Sequence, residues 1–160
     1  MKILTLGVYG FEADSFRKAL ETADIGVFVD VRRRRGVRGH QYAFANSQRL
    51  QALLEELGIP YIHRIELASP ESAIHDQDAA DHKAGIARHD RDHLTETFRE
   101  IYQREILDHF DSEAFMASLP GEPTSVLFFC VERWPDACHR SLIAARLAND
   151  LRASVEHIMP

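Results

Sequence analysis

A chain of 160 residues, 45% hydrophobic and 28% charged, has the length and composition of one globular domain with a sizeable core. Its formal net charge of -6 argues against coating nucleic acid with the whole surface, and no apolar run nears the roughly 20 residues that a membrane span needs. Two cysteines are too few for a disulfide framework, and the N-terminus lacks the apolar core and small-residue cleavage site of a signal peptide, so a reducing cytoplasm is expected.

Taken in chain order, residues 2–8 form a short apolar, β-branched run that predicts a strand. Residues 13–23 carry Phe16, Ala19, Leu20 and Ala23 at helical core spacing. A second strand is expected over 26–31. Next comes a helix over 46–57, with Leu50, Leu53, Leu54 and Leu57 on one face, a cap at Asn46 or Ser47 and a stop at Gly58. Residues 60–63 read as a third strand. The polar stretch 64–85 carries Pro70 and no clear period, and predicts a loop or flap over the sheet edge. Leu94, Phe98, Ile101, Tyr102 and Ile106 predict a long helix within 86–110, and a short one is expected over 111–118. A strand over 125–131, a helix over 141–151 and a strand over 153–158 complete the chain.

No repeat or linker-like composition divides these elements, so residues 1–160 are expected to form one domain. Strands that alternate with helices imply βαβ units, right-handed crossovers and a mostly parallel sheet with helices on both faces. The expected class is therefore α/β, a Rossmann-like three-layer domain with five strands. By analogy their order would be 3-2-1-4-5.

The unusual side chains fall where these strands end. Strand one runs into Gly7-Val8-Tyr9-Gly10, strand two into Asp30-Val31-Arg32, strand three into His63-Arg64 and strand four into Cys130-Val131-Glu132. Open parallel sheets bind ligands outside the carboxyl ends of their strands. Cys138-His139-Arg140 then opens the last helix, where free backbone N–H groups and the positive dipole end favour an anion or a thiolate. Arg32, Arg33, Arg34, Arg35 and Arg38 add a basic loop to an otherwise acidic protein.

Thr5-Leu6-Gly7, Asp30-Val31-Arg32, Gly58-Ile59-Pro60-Tyr61-Ile62-His63, Cys130-Val131-Glu132 and Cys138-His139-Arg140 occur in that order. In this the chain resembles the family catalogued as domain of unknown function 488, a group of prokaryotic proteins. Cys-x-Glu followed by Cys-His-Arg is the most specific element of the likeness. The resemblance covers nearly the whole chain and implies an α/β domain. It supplies no reaction.

The leading expectation is an anion pocket at the carboxyl edge of the sheet, with catalysis left open. Its ligand would be a phosphorylated small molecule, a nucleotide or a nucleic-acid end. Arg32 and Arg140 would hold the anion, and Gly7, Tyr9, Asp30, Arg38 and Cys130 would line the site. Glu132 would act as acid, base or hydroxyl ligand, and Cys138 or His139 as nucleophile or proton relay.

Two other classes remain. One is a non-catalytic nucleic-acid-binding module that uses the Arg32 to Arg38 loop, with Tyr42, Phe44 and Trp134 available for base stacking. The other is a thiol redox switch through Cys130 and Cys138. Each residue also has a plain structural reading: Cys130 and Cys138 as core fillers, Glu132 and the arginines as partners in ion pairs.

No metal ligands are assigned. Cys130, Cys138 and His139 match no common zinc spacing, and a fourth ligand would have to come from His40, His63 or His157. His89 and His93, four apart on an expected helix, lack the glutamate of a metalloprotease helix. Nor is a cofactor assigned. Gly7-Val8-Tyr9-Gly10 followed by Asp30 is a weak likeness to a nicotinamide site, and neither cysteine has the arginine offset of a thiol phosphatase.

Overall fold

Strands covered on both faces are continuous apolar runs, and Val27–Asp30 and Ser125–Phe129 are buried at every position. In the computed structural model, which describes residues 1–160, they are the second and fourth of five strands. These are β1 (Lys2–Leu6), β2 (Val27–Asp30), β3 (Tyr61–His63), β4 (Ser125–Phe129) and β5 (Ser154–Ile158). Every neighbouring pair is parallel, and the order is β3-β2-β4-β1-β5. The expected order is corrected in one respect: β1 and β4 exchange places. Both are mostly apolar along their buried length, with one buried hydroxyl each at Thr5 and Ser125, so the local pattern suits either position. Long-range register decides it, with Val126 opposite both Ile3 and Val27.

Connections from β1 through β3 step one way across the sheet, and those from β3 through β5 step back. Right-handed crossovers therefore place the two sets of helices on opposite faces. On one face, α1 (Ala13–Thr22) and α2 (Ser47–Glu56) bury Phe16, Leu20, Leu50 and Leu54 against Leu4, Leu6, Phe28, Leu127 and Phe129. On the other lie α3 (Glu71–Ala84), α4 (Glu96–Glu105), α5 (Ser112–Ala117) and α6 (His139–Leu151). Ala73, Phe98, Tyr102, Phe115, Ile143 and Leu147 pack there against Ile3, Val27, Val29, Val126 and Phe128. Each such fully buried apolar side chain contributes about 1.5–3 kcal/mol. The result is a three-layer α/β domain. No helix is long and apolar enough to cross a membrane.

Two segments differ from expectation. Residues 64–85 are not a loop: they hold a 3-10 turn at Ile65–Leu67 and the fourteen-residue α3. Its buried stripe is Ala73, Gln77 and Asp81, spaced i, i+4, i+8, so it lacks the apolar period that marks a helix. Polar contacts take its place. Gln77 Oε1 accepts from the Thr95 N–H at 2.8 Å, and Arg91 Nε donates to Asp81 at 2.6 Å. Gly85, at φ 68°, ends the helix in the left-handed conformation that glycine adopts freely.

The long helix expected within 86–110 is interrupted. Residues Arg88–Asp90 form a 3-10 turn, the Leu94 N–H donates to the Asp136 carbonyl, and Thr95 Oγ1 caps α4 by accepting from the Phe98 N–H. His89 and His93 therefore do not share a helix face. Both are exposed, each beside its own neighbouring aspartate.

At the other sheet edge, Thr5 Oγ1 and His157 Nδ1 lie 2.7 Å apart across the β1–β5 pair. Burial lowers the His157 pKa, the Arg140 charge lowers it further, and Asp136 opposes both. The native state thus binds the proton less readily than the unfolded chain does. The contribution is present above the unfolded pKa of roughly 6.5 and is lost as pH falls through the lower folded value. His157→Asn, which keeps a partner for Thr5, is expected to flatten part of the stability loss between roughly pH 7 and pH 5. Urea melts at several pH values check this.

Candidate functional site

Connections leave β2 and β4 in opposite directions, so their carboxyl ends flank the topological switch point, the usual binding position in such sheets. Backbone pairing continues past the strands. The Val31 N–H donates to the Phe129 carbonyl, Cys130 N–H to Leu6, and both Val8 and Tyr9 N–H groups to Val131. The end of β4 is thereby held between the ends of β1 and β2. Alternation along the strand sends Cys130 and Glu132 to the face of α4 and α6, as a two-residue spacing dictates.

Gly7 makes this approach possible. A Cβ at Gly7 would lie 2.0 Å from the Glu132 carbonyl oxygen and 3.1 Å from an Arg140 terminal nitrogen. Gly7 is thus a packing residue for the β4–α6 connection. Gly7→Ala is expected to cost about 1–3 kcal/mol or more, because backbone rather than a flexible side-chain tip must move. A thermal melt with the usual midpoint would contradict this.

Three of the expected site residues meet. Cys130, Cys138 and His139 are all buried, and their Sγ, Sγ and Nδ1 atoms lie within 4.8 Å of one another. His139 Nδ1 is 3.9 Å from Cys130 Sγ and 4.0 Å from Cys138 Sγ. His139 Nε2 sits 3.2 Å from the Val31 carbonyl, which accepts only from a protonated nitrogen, so Nδ1 of the neutral ring presents its lone pair to the sulfurs. The Tyr102 ring covers the imidazole at 5.5 Å, its hydroxyl donating to the Leu67 carbonyl at 2.8 Å.

The electrostatics separate the two thiols. For Cys138, burial favours the neutral thiol. A hydrogen bond from Cys130, the Arg140 charge and His139 outweigh that and hold its pKa well below the ordinary range. Cys138 also stands at the N-cap of α6, where the helix dipole favours negative charge. Cys130 is pushed well up by hydrogen bonding to Cys138, and by burial. His139 is raised: burial opposes its charge, but the hydrogen bond and charge of Cys138 prevail.

The arginines expected to hold an anion are engaged elsewhere. Arg32 is 2% exposed; it grips both carboxylate oxygens of Asp30 at 2.9 and 2.7 Å and donates to the Ala45 carbonyl at 2.8 Å. Its guanidinium stacks over Phe129 at 4.6 Å. Arg140 is fully buried and donates to the Glu132 and Arg133 carbonyls, with its Nε unpartnered. Asp30 also accepts from the Tyr61 hydroxyl at 2.9 Å. All three hold the edge of the sheet together.

Glu132 is buried, and two residues that the sequence reading missed cover it. Arg88 Nε donates to Glu132 Oε1 at 2.7 Å, and an Arg91 terminal nitrogen lies 3.6 Å from the same oxygen. Arg91 in turn binds Asp81 and Asp78 of α3. Burial raises the Glu132 pKa, the Cys138 charge adds to that, and Arg88 counters it. The Arg88 side chain is 60% exposed, so its guanidinium is the solvent-facing partner of this carboxylate. Tyr9, half-buried, has its pKa raised by burial and lies in the field of Arg88 and Glu132.

Other expected residues lie apart. Arg38 is exposed on the basic loop, as are Arg33 and Arg34. Tyr42 packs on Tyr9 at 5.2 Å and Phe44 on Phe16 at 4.8 Å, while Trp134 is exposed beneath the Arg133 guanidinium. His63 contacts the Arg32 carbonyl and His157 contacts Thr5; neither they nor His40 belongs to the cysteine cluster.

No curated protein and no solved structure matches the chain. A family description, "Domain of unknown function DUF488", matches residues 12–147, a span that includes β2 through α5, β4 and all three residues of the cluster. Because that match covers most of the chain, the protein belongs to the DUF488 family.

Proposed function

We propose that the chain acts through a buried dithiol, with Cys138 as the attacking sulfur and Cys130 as the sulfur that resolves it. One arrangement carries this reading: two sulfurs and an imidazole nitrogen lie within 4.8 Å of one another at the N-terminus of a thirteen-residue helix. The oxidant is hydrogen peroxide. The Cys138 thiolate attacks the O–O bond, forms a sulfenic acid and releases water. The Cys130 sulfur then attacks that sulfur, a second water leaves, and a disulfide remains. Two thiols and one peroxide thus give one disulfide and two waters. His139 relays protons between the sulfurs.

The test is thiol titration after mild oxidation. Wild type is expected to lose two titratable thiols, and a dithiol reductant to restore them. Cys130→Ser is expected to stop at a sulfenic acid on Cys138 that dimedone traps. Equal, irreversible oxidation of both cysteines in wild type would overturn the reading.

The anion reading finds support only on the basic loop. No carboxylate lies within 4.0 Å of Arg33, Arg34 or Arg38, and Arg33 engages only the Ser69 carbonyl at 3.2 Å, so these charges carry no counter-ion that phosphate must displace. On that second reading, single-stranded nucleic acid binds in a salt-sensitive way. Replacing Arg33, Arg34 and Arg38 with alanine abolishes binding, and Cys138→Ala leaves it intact.

A further inference from the structure

We infer that Cys130, Cys138 and His139 form a site for one zinc ion, with three protein ligands and a fourth position open. The inference goes beyond the dithiol reading and shares only its residues, whose two sulfurs must be in the reduced state. Its ground is geometric. In a tetrahedral site with zinc–sulfur distances near 2.3 Å and zinc–nitrogen distances near 2.0 Å, neighbouring ligand atoms stand about 3.5–3.8 Å apart. Here His139 Nδ1 is 3.9 Å from one sulfur and 4.0 Å from the other, and no pair of ligand atoms exceeds 4.8 Å. Small side-chain rotations close the difference.

The surroundings favour occupancy. Metal-bound histidines usually donate their second nitrogen to a fixed acceptor, which sets the tautomer and aims the ring. The Val31 carbonyl, 3.2 Å from Nε2, does this for His139, and the Tyr102 ring packs against the imidazole. Two thiolates would balance the charge of a divalent ion, which eases its burial among residues that are all under 9% exposed. Two sulfurs and one imidazole nitrogen select zinc over magnesium or calcium, which require oxygen ligands. The ligands come from the end of β4 and the start of α6, so an ion would pin the connection that carries Glu132.

This site also refines the dithiol reading. A zinc ion would hold the sulfurs apart as thiolates, and oxidation of the pair to a disulfide would eject it.

The experiment is a titration of the reduced, metal-free full-length chain with cobalt(II), a spectroscopic stand-in for zinc. The expected result is intense visible bands of tetrahedral cobalt and a near-ultraviolet thiolate charge-transfer band. These should saturate at one ion per chain and vanish when zinc is added. His139→Ala should weaken zinc binding by more than the roughly 10–100-fold typical of losing a group that only hydrogen-bonds to a metal ligand. Because wild type alone supplies the spectrum, misfolding of a variant does not remove the test. Absence of the charge-transfer band in wild type overturns the inference. So does undiminished binding in the Cys130→Ala, Cys138→Ala double variant. If no band appears but mild oxidation still removes two thiols reversibly, the zinc inference fails and the dithiol reading stands. If cobalt binds but the metal-free chain forms no disulfide, the zinc site stands and the dithiol reading fails.

Discussion

Asp30→Ala is expected to destabilise the protein by about 3–5 kcal/mol, the cost of stranding a buried charge by removing its partner. Arg32 is 2% exposed and both oxygens of Asp30 face it, so the guanidinium left behind has neither water nor a counter-ion. The Tyr61 hydroxyl and the Arg32 N–H lose their acceptor as well. Arg32→Met in the Asp30→Ala background is expected to regain stability, because it removes the stranded charge while keeping contact with Phe129. Urea unfolding of the two single variants and the double variant measures this. A double variant as unstable as the sum of its parts would mean that the pair is not the unit of stabilisation.

Arg140→Met is expected to cost about 1–3 kcal/mol, since a buried carbonyl left without a donor, that of Glu132, costs about that much. The Glu132 and Arg133 carbonyls accept from the two terminal nitrogens of a fully buried guanidinium. Lysine cannot span both with a planar fork, so Arg140→Lys should recover only part of the loss. The effect should extend beyond stability. Arg140 ties the β4–α6 connection to the start of α6, and its loss should loosen Glu132 and expose Cys138. Alkylation of Cys138 in folded Arg140→Met should therefore be faster than in wild type. An unchanged melt and an unchanged alkylation rate would show that the connection is held by other means.

The strands were legible because buried parallel strands are rich in consecutive apolar residues, as Val126–Phe129 and Val27–Val29 are. Their order was not, because β1 and β4 carry the same kind of pattern and only pairing distinguishes them. Helix α3 escaped notice because its inward stripe of Ala73, Gln77 and Asp81 is satisfied by hydrogen bonds and an ion pair rather than by apolar contact. Around the site, chain spacing brought Cys130, Cys138 and His139 to one connection, but it could not say which way a guanidinium points. Arg32 and Arg140 read as anion holders and instead grip Asp30 and backbone carbonyls. Arg88 and Arg91 reach Glu132 from more than 40 residues away, across a break in the expected helix, so no local motif announces them.

The reactivity of the dithiol is the claim on which the functional account stands. Its most direct measurement is a non-reducing peptide map of the full-length chain after brief exposure to a stoichiometric amount of peroxide. The account predicts one cross-linked pair of peptides joining Cys130 to Cys138, absent after reduction. Two separate peptides, with each cysteine either unmodified or carrying its own sulfenic or sulfinic acid, would contradict it.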